Sequence, residues 1–180
     1  MTTFELPAAV HQLDNYIDAA WETIRGNPTV DRIFYSASEV GDFGLIWMAS
    51  AGVHALTGSP LHGRALMRMA GALAVESVVV NQGIKRLFRR QRPAFEGARP
   101  HGLRNPSTSS FPSGHSTSAV TAAILISQTS PVPAPLWWGL AALVASSRIH
   151  VKIHHASDVA GGMLIGAGIG TLIRHLVPIQ

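Results

Sequence analysis

The stretch VAGGMLIGAGIGTLIRHLV, residues 159–177, carries no acidic side chain and no lysine or arginine before Arg174. Its length approaches the roughly 20 apolar residues a helix needs to cross the hydrocarbon core of a bilayer. Gly162, Gly166 and Gly170 recur every fourth residue, a small-xxx-small pattern that lets a second helix come close. An apolar, tightly packed helix is expected. Four more apolar blocks precede it, at 43–57, 65–84, 116–127 and 133–149. Together they predict an all-α, integral-membrane helical bundle of about five transmembrane helices. Several blocks fall short of a full span, so flanking turns must extend them; buried helices of a soluble all-α protein are the alternative, because the short blocks fit it.

Composition supports the membrane reading. Apolar residues make up 47% of the 180-residue chain and charged residues 13%, where soluble domains carry about a quarter charged. One domain is expected over 1–180, with amphipathic helices in 1–40 and a helical core over 43–177. The absence of cysteine excludes disulfides, thiolate metal sites and thiol nucleophiles. The N-terminal 28 residues lack the basic and long apolar regions of a secretory signal, so no cleavage is expected. Val10, Leu13, Ile17, Ala20, Trp21 and Ile24 recur there at helical spacing, with Asp14, Asn15, Asp18 and Glu22 on other faces. This pattern predicts an amphipathic helix along the membrane surface, or one packed on a core.

Five spans would bring the N-terminal region, the 85–112 segment and the 148–158 segment to one side. Arg25, Arg32, Lys85, Arg86, Arg89, Arg90, Arg92, Arg99, Arg104, Arg148 and Lys152 then share that side, against Arg64, Arg68 and Arg174 opposite. The positive-inside rule makes the crowded side cytoplasmic. The long segment 93–112, rich in Pro, Gly and Ser, breaks any helix and has the length of a functional loop.

Three motifs lie on the crowded side. In KRLFRRQRP, residues 85–93, six residues separate Lys85 from Arg92, and Pro93 ends the helix. A membrane flank is its simplest reading. Nucleic acid is disfavoured as a partner, because the run adjoins an apolar span and Phe88 is its only aromatic residue. In FPSGHS, residues 111–116, Pro112 and Gly114 shape a turn, and Ser116 begins the next helical block. Such a turn aims backbone N–H groups and the positive end of the helix dipole at one spot, which suits a phosphate. His115 beside it has a reference pKa near 6.5 and can deliver a proton near neutral pH; a bystander histidine in a helix-entry turn remains open. In SSRIHVKIHHASD, residues 146–158, Arg148 lies near a helix end, His154 follows in a loop, and Ser157 and Asp158 suit the N-cap and first turn of the last helix. Asp158, four residues after His154, can accept from one imidazole nitrogen and leave the other aimed as base or nucleophile. His150, His154 and Asp158 also have metal-ligand spacing, but the nearby cations oppose a metal ion. Neither a metal nor a cofactor is expected.

Taken together, Lys85, Arg92 and Pro93, then Pro112 to His115, then Ser147, Arg148, His154 and Asp158 resemble the three signature motifs of the type 2 phosphatidic-acid phosphatase superfamily. These are the lipid phosphate phosphatases related to vanadium-dependent haloperoxidases. The match is complete in order and spacing and spans about 65–177. The resemblance implies that Lys85, Arg92 and Arg148 hold the non-bridging phosphate oxygens, with the Ser113 hydroxyl and the Gly114 N–H. It implies that His154 attacks phosphorus to form a phosphohistidine, oriented by Asp158, and that His115 protonates the leaving group before water hydrolyses the intermediate. Such phosphoryl transfer is largely positioning and charge neutralisation, which fixed cations can supply.

The expected function is metal-independent hydrolysis of a lipid phosphate or diphosphate: a polyprenyl carrier, a polyprenyl-phosphate sugar or a phosphatidate-type lipid. A haloperoxidase-like enzyme and a non-enzymatic membrane scaffold are the alternatives. The partners expected are the lipid substrate and membrane lipids, and a homo-oligomer is compatible with the sequence. His150 and His155 receive no role. Glu76, inside a span, is expected to face the bundle interior with a partner such as Asn81 or a basic residue.

Overall fold

The computed structural model of the chain describes residues 6–95, 103 and 106–179. These form helices α1 (Ala8–Glu22), α2 (Pro28–Val40), α3 (Leu45–Ala55), α4 (Pro60–Ser77), α5 (Lys85–Leu87), α6 (Gly114–Ile126), α7 (Ala134–His150) and α8 (Ala156–Leu176). No strand occurs among the described residues. A seven-residue π-helical stretch, Val78–Ile84, joins α4 to α5, so the helical run 60–87 is continuous and longer than the apolar block 65–84. Each expected apolar block falls largely on a helix. Among the described residues only α8, with 21 residues and a mean hydropathy of 1.4, is long and apolar enough by itself to cross a membrane. The 11 residues of α3 and 13 of α6 reach only ~20 Å at 1.5 Å per residue.

Helix α6 is the axis of the bundle. Ser116 through Ala123, Leu125 and Ile126 are all buried, so the helix has no solvent face. Its hydroxyls bond to main-chain carbonyls: Thr117 Oγ1 donates to Ser113 O (2.9 Å), and Thr121 Oγ1 donates to Gly166 O (3.1 Å). The second bond crosses to α8, where the glycine spacing has its effect. A Cβ at Gly162 would stand 2.5 Å from Ser113 O, and one at Gly166 would run into the Thr117 carbonyl. Around this pair Trp47, Met69, Ala72, Ala122, Leu125, Trp137 and Val144 form one apolar core drawn from α3, α4, α6 and α7.

The bundle has two distinct ends. At one, Arg68 donates to Leu125 O, Val177 O and Gln128 Oε1, and His62 Nε2 meets Thr129 O, which ties α4 to the C-terminal ends of α6 and α8. At the other lie α1, α2, the segment after α5 and the α7–α8 loop.

Helix α1 docks on this second end, and its inward face differs from the expected apolar stripe. Asp14 is 3% exposed, whereas Leu13 (54%) and Tyr16 (75%) stay outside. Arg25 donates to Ile149 O (2.8 Å) and His150 O (2.9 Å), satisfying carbonyls at the α7 C-terminus. The apolar stripe is therefore split. Ile17 and Trp21 are half-covered, while Leu13, Ala20 and Ile24 stay exposed beside them.

Candidate active site

Local structure sets each member of the site. The one-turn α5 begins with Lys85. Beyond it the chain runs extended, and residues 109–110 return alongside: Arg90 N donates to Ser109 Oγ (3.2 Å), Ser110 N to Arg90 O (3.0 Å) and Ser110 Oγ to Gln91 O (3.0 Å). The chain then passes a cis Phe111–Pro112 bond into α6. This helix starts at Gly114, two residues earlier than the sequence suggested, with Ser113 as its N-cap: Ser113 Oγ accepts from Ser116 N (3.4 Å) and Ser116 Oγ (2.8 Å). Ser113 is fully buried, behind Gly114 and His115.

The α7–α8 loop turns back on itself. Ile153 N (3.2 Å) and His154 N (3.0 Å) both donate to Arg148 O, and Lys152, just before them, takes a left-handed φ of 51°. That closure fixes His154 next to Arg148. The N-cap of α8 is His155 rather than the expected Ser157. Asp158, in the first turn, accepts from His155 N through Oδ2 (2.8 Å).

These elements converge on a cavity of about 670 Å³ lined by Lys85, Arg92, Gly114, His115, Arg148 and His154 among others. Asp158 and Ser113 stand behind its wall, both with no exposure. Arg92 is anchored by Thr108 O, Ser109 O and Ile153 O at 3.0 to 3.2 Å. Its Nη1 lies 3.3 Å from His154 Nε2. A guanidinium only donates, so Nε2 presents its lone pair and the ring proton belongs on Nδ1. Nδ1 faces Asp158 Oδ2 at 3.7 Å, loose for a hydrogen bond, as catalytic contacts often are before substrate arrives.

Electrostatics reinforce this tautomer. Burial, aided by Arg148 and Arg92, pushes the His154 pKa down to about 3, so the ring is neutral at physiological pH. Burial raises the Asp158 carboxyl, but His154, Arg90 and the His155 amide outweigh it and hold the group below its ordinary value. Burial, with Arg92 and Arg148 nearby, lowers Lys85 to about 8. Three cations converge on a space that an oxyanion would neutralise. His115 is lowered by burial and by Arg148, against opposition from Asp42 and the Ser38 carbonyl.

Four contributors had no motif to announce them. Ser38 Oγ accepts from Arg148 Nη1, and Ser38 O lies 3.2 Å from His115 Nε2. Asp42 Oδ1 lies 3.0 Å from the same nitrogen. Arg90, within the basic run, bridges Asp158 Oδ1 to Asp14 of α1. Asp14 also accepts from Ser157 N and Ser157 Oγ, both at 2.8 Å. Of the two partners expected for Glu76, Asn81 Nδ2 donates to Ser77 Oγ instead (3.1 Å), whereas a basic residue, Lys85, does act on it electrostatically. His150 turns away from His154: its Nε2 meets Asp31 Oδ1 at 2.8 Å and its ring stacks on Phe34. His155 Nε2 lies 3.3 Å from Gln91 O. Arg99 and Arg104 fall outside the described residues.

Residues 65–180 match the PAP2 superfamily, and the chain belongs to that family. It is similar to the decaprenylphosphoryl-5-phosphoribose phosphatase of Mycobacterium tuberculosis, with 39% identity over 60% of this chain and 58% of the relative. The protein of the same name from Mycolicibacterium smegmatis is 34% identical over 83% of this chain and 80% of its own length. The chain thus spans a little over half of the first relative and four fifths of the second. Among solved structures it resembles the transmembrane PAP2-type phosphatidylglycerolphosphate phosphatase of Bacillus subtilis. That match has a TM-score of 0.69 at 24% identity and covers 94% of this chain and 87% of the other.

Proposed function

We propose that this chain is a single-domain, multi-pass membrane phosphatase that hydrolyses a lipid phosphate through a phosphohistidine at His154, with five spans and its active site at the cytoplasmic face. The observation that carries the reading is the His154 lone pair at Nε2. It is held 3.3 Å from Arg92, backed by Asp158, and opens on a cavity shared by Lys85, Arg148 and His115. A scaffold would have no use for a neutral buried histidine between cations, and perturbed groups in a cleft mark chemistry. The relatives' names, both for phosphatases of a polyprenylphosphoryl sugar phosphate, favour a substrate of that kind.

In the proposed reaction Lys85, Arg92, Arg148 and the Gly114 N–H bind the non-bridging oxygens. His154 Nε2 attacks phosphorus as the bond to the leaving oxygen breaks, and His115 gives that oxygen its proton. Asp158 stabilises the proton that stays on Nδ1. Water then attacks the phosphohistidine and returns a proton to His115 as phosphate is released. Ser113 caps α6, so its part is to hold Gly114 and His115 in place. Since side chains supply the neutralising charge, purified protein should release phosphate from lipid phosphates in excess EDTA, and vanadate should inhibit as an oxyanion mimic. A strict requirement for added Mg²⁺ or Zn²⁺ would contradict the mechanism.

A further inference from the structure

His115 sits where two parts of the chain meet. Its backbone lies in the first turn of α6, inside the matched region 65–180, while both acceptors at its Nε2 come from α2 and the corner behind it, outside that region. Nε2 lies 3.2 Å from Ser38 O and 3.0 Å from Asp42 Oδ1. A carbonyl oxygen only accepts, so Nε2 carries a hydrogen whether the ring is neutral or charged. Nδ1 has no hydrogen-bond partner among the described residues, and unlike Nδ1 of His154 it is not sealed from the cavity that the ring lines.

The corner between α2 and α3 is shaped around this contact. Phe43 and Gly44 take left-handed φ values of 55° and 69° in succession, a conformation uncommon for an aromatic residue and kept only where the surroundings impose it. Phe43 stays 78% exposed, so burial of its ring does not account for the strain; what the turn achieves is to leave Asp42 Oδ1 beside the imidazole. Gly41 lets the backbone close on that ring, since a Cβ there would stand 2.9 Å from His115 Cδ2 and 2.8 Å from Val144 Cγ1. Ser38, one turn earlier, belongs to the same unit, because its Oγ accepts from Arg148 Nη1. The other charged or titratable groups that line the cavity are Glu76 of α4, Lys85 of α5, Arg92, Arg148 of α7 and His154. Arg148 acts against a charged His115, and Asp42 opposes it.

We propose that Asp42 is a positioning residue for the general acid: with the Ser38 carbonyl it holds the Nε2–H of His115, and the leaving oxygen takes its proton from Nδ1. The proposal rests on the phosphatase reading above and gives its acid a carboxylate that none of the three motifs supplies. His154 and His115 then form two histidine–carboxylate pairs of opposite sense. Asp158 stands at Nδ1 of the first, with Nε2 left to attack, and Asp42 at Nε2 of the second, with Nδ1 left to donate. In the first half-reaction the phosphorus–oxygen bond breaks with its electron pair on the leaving oxygen, and the Nδ1 proton of the imidazolium moves to that oxygen. The ring is left neutral with its hydrogen on Nε2. In the second, the Nδ1 lone pair takes a proton from the attacking water, and Asp42 stabilises the imidazolium that re-forms.

Asp42→Asn keeps an acceptor and removes the charge, so its kinetics separate this role from a structural one. Since kcat/KM covers only the steps up to release of the alcohol, it reports proton delivery. A tenfold loss of proton affinity lowers the protonated fraction of His115 about tenfold above its pKa. On a short-chain polyprenyl phosphate, kcat/KM should therefore fall by about that factor near pH 7, and the deficit should shrink toward about pH 5 as the rise moves to lower pH. On p-nitrophenyl phosphate, which leaves without protonation, the loss should be much smaller. Equal losses on both substrates, or a wild-type rate and pH profile, would overturn the proposal while leaving the phosphatase reading intact. The tautomers can be read on wild-type protein, with no variant to fold. In ¹⁵N-histidine spectra at about pH 8, vanadate should shift two neutral rings, one with its hydrogen on Nδ1 (His154) and one with its hydrogen on Nε2 (His115). Two rings with hydrogen on Nδ1 would also overturn the proposal. Wild-type protein that turns over neither substrate, and whose rings ignore vanadate, would sink the phosphatase reading and the proposal with it.

Discussion

His154 and His115 line one cavity, yet their surroundings fit them for opposite tasks. His154 is 3% exposed, lies between two arginines, has its pKa near 3 and offers a lone pair at Nε2. His115 has a carboxylate and a carbonyl at its Nε2, both of which favour the protonated ring. Its pKa still lies below 6.5, since burial and Arg148 outweigh them. Its protonated fraction therefore grows as pH falls, while His154 stays neutral throughout that range. With a poor leaving group, kcat/KM should rise as pH falls from about 7 to about 6, below the range in which Lys85 gains its charge, and His115→Ala should flatten this part of the profile and cost ~10² to 10⁴ in rate. p-Nitrophenyl phosphate leaves without protonation, so it should recover much of the rate in His115→Ala. A variant with the wild-type pH slope, or one that good leaving groups do not rescue, would mean that another group supplies the proton. Both histidines were legible in the sequence, because each sits in a motif with fixed spacing. Ser38 and Asp42 were not, because they reach the site from a separate helix corner and no local pattern links them to His115.

At the scale of elements, the N-terminal helix is more than a membrane-surface accessory. Through Asp14 it holds Arg90, and Arg90 holds Asp158 Oδ1, so the carboxylate behind His154 is anchored from outside the region 65–180 that matches the family. The sequence set Asp14 apart from the apolar stripe, but it is Asp14 that turns inward, because periodicity cannot tell a polar face in water from one buried on a helix end. Its burial with Ser157 and Arg90 is a tertiary fact. Asp14→Ala would leave Arg90 with one carboxylate and Ser157 N without an acceptor. Since hydrogen bonds to charged groups are worth ~1.5–3 kcal/mol, kcat should fall by about ten- to a hundredfold and Tm should drop, with KM little changed. A kcat equal to wild type, read alongside the lowered Tm, would show that α1 holds the fold without positioning the nucleophile. Helix α8 gave the opposite lesson. Its glycine spacing was fully readable, and Gly162 and Gly166 now lie against the α6 backbone at Ser113 and Thr117. The small-residue pattern thus seats the α6 N-terminus, and with it Gly114 and His115, beside His154.

For the whole molecule, α1, α2, residues 85–95 and 106–113 and the α7–α8 loop lie together at one end of the bundle. The helical class and the clustering of the three motifs were legible because apolar blocks and motif order survive in one dimension. The division into spans was less so, because the central helix α6 is short and buried on all sides, so hydropathy cannot distinguish a core helix from a membrane one. Sidedness has a direct check. Ser107 is exposed at the cavity mouth, and the chain has no native cysteine. In Ser107→Cys, a membrane-impermeant thiol reagent should label the protein only after cells are permeabilised. Labelling of intact cells would put the active site on the outer face.

In the proposed reaction His154 carries the phosphoryl group. Purified protein should be mixed with a ³²P-labelled lipid phosphate, quenched within the first turnover and digested. An acid-labile, base-stable phosphoramidate should appear on the peptide that contains His154 and be absent in His154→Ala, together with all turnover. A wild-type rate in His154→Ala, or label found as an acid-stable ester on a hydroxyl side chain, would contradict it.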